Sequence, residues 1–334
     1  MLKIIHCADV HLGSKIEAKL PKHKAEERRG EVRATFHRMV EYAKQNGVRA
    51  IVIAGDAFDS DRPTRRDKEL FYAVIRENPE VDFLYLRGNH DLEASYEERP
   101  ANLKTFADEW TAYEYGDVTI CGIEMRRENA TSLYSTLKLD KAKKNIVVLH
   151  GKIANSAGAD KINLAKLGGK YIDYLALGHI HSFEENKLDD RGRYAYSGCL
   201  EGRGFDECGE KGFVLLEVDE EIKSTFHPFA KRKIEEWEVD ITGVWWIAVN
   251  IADNSQMIDP ETLTLNKPDD YSSASIDADT RTLKYDNTIY SAPLPSGKWP
   301  ELTPGTWYVN AIGLLDGGDV AQEITLKYRE ALLW

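Results

Sequence analysis

Five short apolar runs in this chain each end on side chains that favour divalent metals, and that pairing constrains the fold more than anything else in the sequence. Asp9 and His11 follow KIIHCA, Asp56 follows AIVIAG, Asn89 follows DFLYLRG, His150 ends NIVVLH, and His179 and His181 follow YLALG. Short β-rich runs bounded by polar residues or glycine read as strands. In α/β sheets, ligand sites lie beyond the carboxyl ends of the strands, so these five loops can converge in space. Gly55, Gly88 and Gly178 each stand just before a metal-liking residue and are read as letting the backbone turn sharply there.

Asp9 and His11 alternate on one extended segment and so share a face. With His181 they form a candidate first metal site. Asp56 is the natural bridging ligand, since one carboxylate can give an oxygen to each of two ions. Asn89, His150 and His179 complete a second site. Carboxylate, amide and imidazole without thiolate suit Mn²⁺, Fe²⁺ or Zn²⁺ in open hydrolytic coordination and argue against a closed structural zinc site. A close pair of such ions makes water nucleophilic near neutral pH and neutralises charge on a phosphate ester. His90 is assigned differently. As an imidazolium it can stabilise a pentacoordinate phosphate or protonate a departing alkoxide, with Asp91 orienting it. His6, His23, His37 and His227 lack such company and read as ordinary core or surface residues.

Apolar strands alternate with amphipathic helices up to about residue 243. Helices are expected over residues 31–46, where Val32, Met39, Val40 and Ala43 form a stripe, and over 65–77, with Leu70, Phe71, Val74 and Ile75. This order predicts a layered α/β sandwich with a mixed sheet or two packed sheets. From residue 244 to 334 turn signals such as NKPDD, PLPSG and LDGG separate short alternating segments. A small all-β domain, built as a sandwich or jelly roll, is expected there.

No apolar run approaches the roughly 20 residues needed to span a bilayer, so no membrane contact is expected. The opening MLKIIHCADV lacks the features of a signal peptide, making a cytoplasmic location the expectation. Four irregularly spaced cysteines form neither a disulfide framework nor a CxxC zinc site. The net charge of −12 counts against indiscriminate phosphate-backbone binding. It does not exclude a nuclease, because bound cations and local basic patches overrule a global deficit. Arg28, Arg29, Arg33 and Arg38 form one candidate patch, and Arg62, Arg65, Arg66 and Lys68 another; a solvated face is the plainer reading of each.

The blocks ADVHLG, GDAFD, RGNHD, LHG and LGHIH closely resemble those of the calcineurin-like metallophosphoesterases. IIHCADVHLGS and SGCLEGRGFDECGEKGFVLLEV resemble the Mre11/SbcD-like DNA-repair exonuclease branch. The resemblance covers about residues 1–243. It implies a four-layered αββα fold, a pair of Mn²⁺ ions, hydrolysis of phosphodiesters by metal-activated water, and an SbcC- or Rad50-like ATPase partner. Two departures stand out. Asp59 occupies the position, three residues after Asp56, where Mre11 nucleases usually carry a histidine, and an acid cannot play the same cationic part. The usual DNA-capping and ATPase-binding segments are not recognisable after residue 243. Instead SIDADTRTLKYDN, KWPELTPGTWYVNAIG and ITLKYREALLW resemble the C-terminal domain of siphovirus-type tail components, implying phage tail or cell-wall contact and a virion-associated alternative location. The expectation is a Mn²⁺-dependent phosphodiester hydrolase acting on DNA, as exonuclease or endonuclease. The alternatives are a phosphatase or cyclic-nucleotide phosphodiesterase on the same fold, or a tail attachment protein.

Overall fold

The computed structural model describes residues 1–16, 22–90, 99–156, 158–204 and 207–234 (side chains of 22–24 aside), and beyond them only the backbone of short strands. The chain divides into two units, Met1–Glu236 and Trp237–Trp334.

The first unit holds two six-stranded sheets. In chain order its strands are β1 (Leu2–Cys7), β2 (Ala50–Ala54), β3 (Asp82–Leu86), β4 (Leu103–Thr105), β5 (Thr111–Tyr115), β6 (Val118–Gly122), β7 (Lys144–His150), β8 (Lys152–Ile153), β9 (Lys161–Ile162), β10 (Tyr174–Gly178), β11 (Glu184–Lys187), β12 (Arg193–Tyr196), β13 (Gly212–Val218) and β14 (Ile222–Pro228). Sheet one runs β14-β13-β1-β2-β3-β4 and sheet two β11-β12-β10-β7-β6-β5; β8 and β9 form a small separate pair. Strands β1 to β4 are mutually parallel, as are β6, β7, β10 and β12; antiparallel strands close one edge of sheet one and both edges of sheet two, and parallel β4 closes the other edge of sheet one.

Why the strands read as unbroken apolar runs is plain from their two faces. Ile5, Ile51, Ile53 and Phe83 pack outward from sheet one against Phe36, Met39, Phe71 and Ile75. These helical residues belong to α1 (Lys22–Gln45) and α2 (Arg65–Arg76). The alternate residues Ile4, Val52 and Leu84 meet Ile146, Val148 and Ala176 of sheet two. On the far side, Val147, Leu149, Leu175 and Leu177 pack under Leu133, Ile162 and Leu167, where α3 (Leu133–Thr136) is the short helix of that layer. Strands covered on both faces have no polar side to alternate with. The layering is αββα.

Helix α2 begins at Thr64, whose hydroxyl accepts from Asp67 N–H at 3.2 Å, an N-cap that the sequence carries openly. Helix α1 starts nine residues before the expected 31, because its first turns are held by charge rather than by an apolar stripe. Arg29 and Arg33 both pair with Glu26, and Arg28 is turned inward to Glu31 and the Gly202 carbonyl. With Arg38 bonded to the Phe229 carbonyl, the first candidate basic patch is committed to the fold. Buried Cys7, Cys121 and Cys199 are free thiols, and burial pushes the first two up in pKa. No helix among the described residues is long and apolar enough to cross a membrane.

In the second unit every described pairing is antiparallel: Thr306–Ile312 between Trp246–Ile251 and Ile324–Arg329, the meander Ser275–Asp277, Thr282–Tyr285, Thr288–Ser291, and Met257–Ile258 with Leu265–Asn266. The expected boundary at residue 243 and the sandwich or jelly roll beyond it, with its phage-tail likeness, otherwise lie outside the described residues.

His6 is a satisfied core histidine between the sheets. Its Nε2–H donates to the Leu177 carbonyl at 3.2 Å, so Nδ1 accepts from the Tyr174 hydroxyl at 3.0 Å. Burial drives its pKa from 6.5 down to about 3, the Leu177 bond opposing. The folded chain therefore takes up this proton later than the unfolded chain as pH falls. Its contribution is intact above about 6.5 and is lost progressively toward about 3. In a chelator-containing buffer, His6→Gln should flatten the decline of unfolding free energy across that window; a decline as steep as the wild type's would refute this.

Candidate metal centre

Backbone hydrogen bonding continues past the ends of β1 and β2 and zips the first two ligand loops together. Asp9 N–H donates to Gly55 O and His11 N–H to Asp56 O, both at 3.0 Å, and Leu12 N–H to Ala57 O at 2.8 Å. Adjacent β3 delivers Asn89, while neighbours β7 and β10, which face β2 and β3 across the inter-sheet core, deliver His150 and His179. Six described non-glycine residues have positive φ, and four are candidate ligands: Asp9 (51°), His11 (50°), Asp56 (51°) and His179 (102°). Such conformations cost on the order of 1–3 kcal/mol each and persist where surroundings over-determine them. Here the constraint is visible. His179 N–H donates to the Asp9 carboxylate at 3.0 and 3.2 Å, and His90 N–H to Asp56 Oδ1 at 2.9 Å.

Ligand atoms of Asp9, His11 and His181 lie within 4.8 Å of one another, as do those of Asp9, Asp56 and His150. His11 Nε2 and His181 Nε2 face each other at 3.3 Å, with Asp9 Oδ1 4.0 and 3.7 Å from them. In the second group, His150 Nε2 and His179 Nδ1 approach Asn89 Oδ1 at 2.9 and 3.0 Å, and Asp56 Oδ2 is 3.4 Å from His150 Nε2. The carboxylate common to both proximity groups is Asp9. Asp56, expected to be shared, is also influenced from both sides: burial opposes its charge, but His150 and then His11 hold its carboxyl below the usual range.

Protonation follows the same geometry. Burial lowers His11, against the pull of Asp59, and burial together with the His150 charge lowers His179. His150 goes the other way. Burial works against its charge, yet Asp56 raises it to about 9. A divalent ion would displace that proton, so metal affinity and pH are linked here. Two nearly solvent-free carboxylates, opposed imidazole nitrogens and an amide oxygen met by two more imidazoles fit a pair of oxygen- and nitrogen-liking divalent ions.

Three residues unassigned at the sequence level complete the surroundings. Glu207 accepts from His181 Nδ1 at 2.6 Å. Asp59 Oδ1 lies 2.9 Å from His11 Nδ1, off the line of a well-formed hydrogen bond. Arg203 bridges Asp59 and Glu207. His90 is exposed at the rim, its ring 5.2 Å from that of His11; its ligand atom, with those of His11 and Asp59, forms a third group within 4.8 Å. Asp91 lies outside the described residues.

The glycines act differently from expectation. Of Gly55, Gly88 and Gly178, only Gly55 has positive φ (97°). Gly88 and Gly178 are needed for room: a Cβ at Gly88 would stand 2.1 Å from Asp56 Oδ1, and one at Gly178 1.9 Å from Ala54 O. Among the remaining histidines, His227 is half-buried on β14 and stacks on Phe213.

The family model described as calcineurin-like phosphoesterase matches residues 2–183, a span containing all seven candidate ligands but neither Arg203 nor Glu207. A DNA double-strand break repair protein Mre11 from Sulfurisphaera tokodaii is 28% identical over 204 residues, covering 56% of this chain and 51% of that one. One subunit of the nuclease SbcCD from Rhodobacter capsulatus is 31% identical over 94 residues, covering 27% of this chain and 22% of that protein. This chain thus spans about half the length of the Sulfurisphaera relative. Among solved structures, a dimetal phosphatase from Danio rerio overlaps with a TM-score of 0.45 at 11% identity, covering 67% of this chain and 98% of that one.

Filling the space at Gly88 tests how tightly the site is packed. Gly88→Ala should leave the far-UV circular dichroism unchanged while weakening Mn²⁺ binding by on the order of 10–100-fold, as expected when a ligand's support is displaced. Wild-type affinity in calorimetric titration would show that Asp56 can yield freely.

Proposed function

The chain belongs to the calcineurin-like phosphoesterase family, and on that premise we propose that it is a two-metal phosphodiesterase acting on DNA, with Mn²⁺ as the working ion. In this reading Asp9, His11 and His181 would hold the first ion, Asn89, His150 and His179 the second, and Asp56 would serve both. Bound there, the ions supply a nucleophile at neutral pH and neutralise charge on the phosphate. The observation that carries the proposal is the meeting of five strand-end loops, with opposed Nε2 atoms on one side and Asn89 Oδ1 approached by two imidazoles on the other.

His90 is the proton donor in this scheme. Its backbone N–H is fixed to Asp56, which plants the exposed ring at the rim, where a leaving oxygen departs. Asp59, held by Arg203, stands near that ring. DNA is favoured over other phosphoesters by the names of the Sulfurisphaera and Rhodobacter relatives. Arg62, Arg65 and Arg66, exposed just after the Asp59 loop, are the cations we assign to the DNA backbone. A companion protein of the SbcC or Rad50 kind is proposed by analogy with the Rhodobacter relative, whose name marks it as one part of an assembly.

Single-stranded DNA, a chromogenic phosphodiester and a phosphomonoester, each with and without Mn²⁺, separate the readings. DNA and diester should be cleaved only with metal; preference for the monoester would make the protein a phosphatase. His90→Ala should lower turnover by on the order of 10²–10⁴-fold with both ions still bound, and retained turnover would remove His90 from proton transfer. Asp56→Ala should lose both ions together in the same titration, whereas one ion held tightly would take Asp56 out of the bridging position.

A further inference from the structure

One guanidinium joins the two carboxylates that stand behind the first-site imidazoles. Arg203 Nη1 donates to Asp59 Oδ1 at 2.7 Å. Its Nη2 and Nε donate to Glu207 Oε1 at 2.7 and 3.2 Å, and its backbone N–H to Glu207 Oε2 at 2.6 Å. Asp59 in turn lies 2.9 Å from His11 Nδ1, and Glu207 2.6 Å from His181 Nδ1. Both rings thereby have a carboxylate at Nδ1, and both Nε2 atoms point to the same place beside Asp9.

We propose that Arg203 is a positioning residue for the first metal: it locks Asp59 and Glu207, and through them the ring orientation of His11 and His181 and the tautomer of His181. This rests on reading Asp9, His11 and His181 as that metal's ligands. A carboxylate behind a ligating imidazole keeps the proton on the far nitrogen and leaves the near lone pair for the ion. Arg203 Nη2 also comes within 3.3 Å of His181 Nδ1. With Glu207 closer, Nδ1 carries the proton and cannot accept, so this approach is packing.

The shape of the cation matters. A planar guanidinium presents donors in a rigid fork, and here the fork spans carboxylates from loops 144 and 4 residues away. A lysine ammonium is a point charge on a flexible stem and cannot grip both in fixed geometry. Nor is Arg203 presented as a substrate clamp: Nε, Nη1 and Nη2 are all engaged with the two carboxylates, and its side chain is only 17% exposed. Its charge also offsets the two anions, so that they can stand beside a metal site already rich in carboxylate.

The test is Mn²⁺ titration of the full chain followed by electron paramagnetic resonance, in which a spin-coupled pair and a lone ion give different spectra. Wild type should bind two ions. Arg203→Ala should hold the second-site ion at wild-type affinity and the first 10–100-fold more weakly, so a lone-ion signal replaces the coupled pair at limiting Mn²⁺. Arg203→Lys should fall between. Asp59→Asn and Glu207→Gln each loosen one ring, and should lower first-site affinity in the same direction by less; they decide the matter if Arg203→Ala does not fold. Unchanged affinity at both sites in the folded variants, even with a lowered melting temperature, overturns the proposal while leaving the ligand assignment standing. Fewer than two ions on wild type overturns the ligand assignment, and the proposal with it.

Discussion

Asp9 and Asp56 are each 1% exposed, and the site is organised around making two such carboxylates tolerable in the interior. A buried charge survives only with counter-charge and hydrogen bonds aimed at it. Here these come from backbone N–H groups of His179 and His90 and from imidazoles on neighbouring loops. The left-handed conformations of Asp9, His11, Asp56 and His179 follow from the same demand, since the chain must turn side chains inward at the point where each strand ends. The missing Cβ atoms at Gly88 and Gly178 make room for that turn. Even the inter-sheet core belongs to this design, because it holds β2 against β7 and so sets how closely the two groups of loops approach.

Much of this could be read from residue order. An apolar run that stops on Asp, Asn or His reports both a buried strand and the direction in which its end points, and parallel pairing of β1, β2 and β3 then makes the ends neighbours. The convergence of the candidate ligands was therefore legible, as was a layered α/β sandwich; its αββα order came from the family resemblance of the motif blocks. What stood behind those ligands was not. Glu207 lies 26 residues from His181, and Asp59 lies 144 residues from Arg203; no periodicity links them, and a glycine-rich loop gives no hint of what its charged residues face. Asp59 looked like the loss of a cation. In the fold it is one end of an ion pair that brings a different cation to the same neighbourhood.

Charge read along the chain also leaves partners unspecified. Arg28, Arg29, Arg33 and Arg38 resemble a basic face in sequence, yet each is occupied by a carboxylate or a carbonyl of its own protein. Helical spacing does not say which arginines will find partners 174 or 191 residues away. Helix α1 illustrates the converse, since its opening turns gain their support from those pairs and so escaped a search for apolar periodicity.

Strand β1 carries Asp9 and His11 at its end and runs between β2 on one side and β13 on the other. The strand that opens the chain is thus enclosed by one that arrives some 200 residues later. During synthesis all seven ligands leave the ribosome while one edge of β1 still has no neighbour. β13 follows directly on the loop that carries Arg203 and Glu207, so the strand covering the second edge of β1 is tied to the charges that stand behind its ligands.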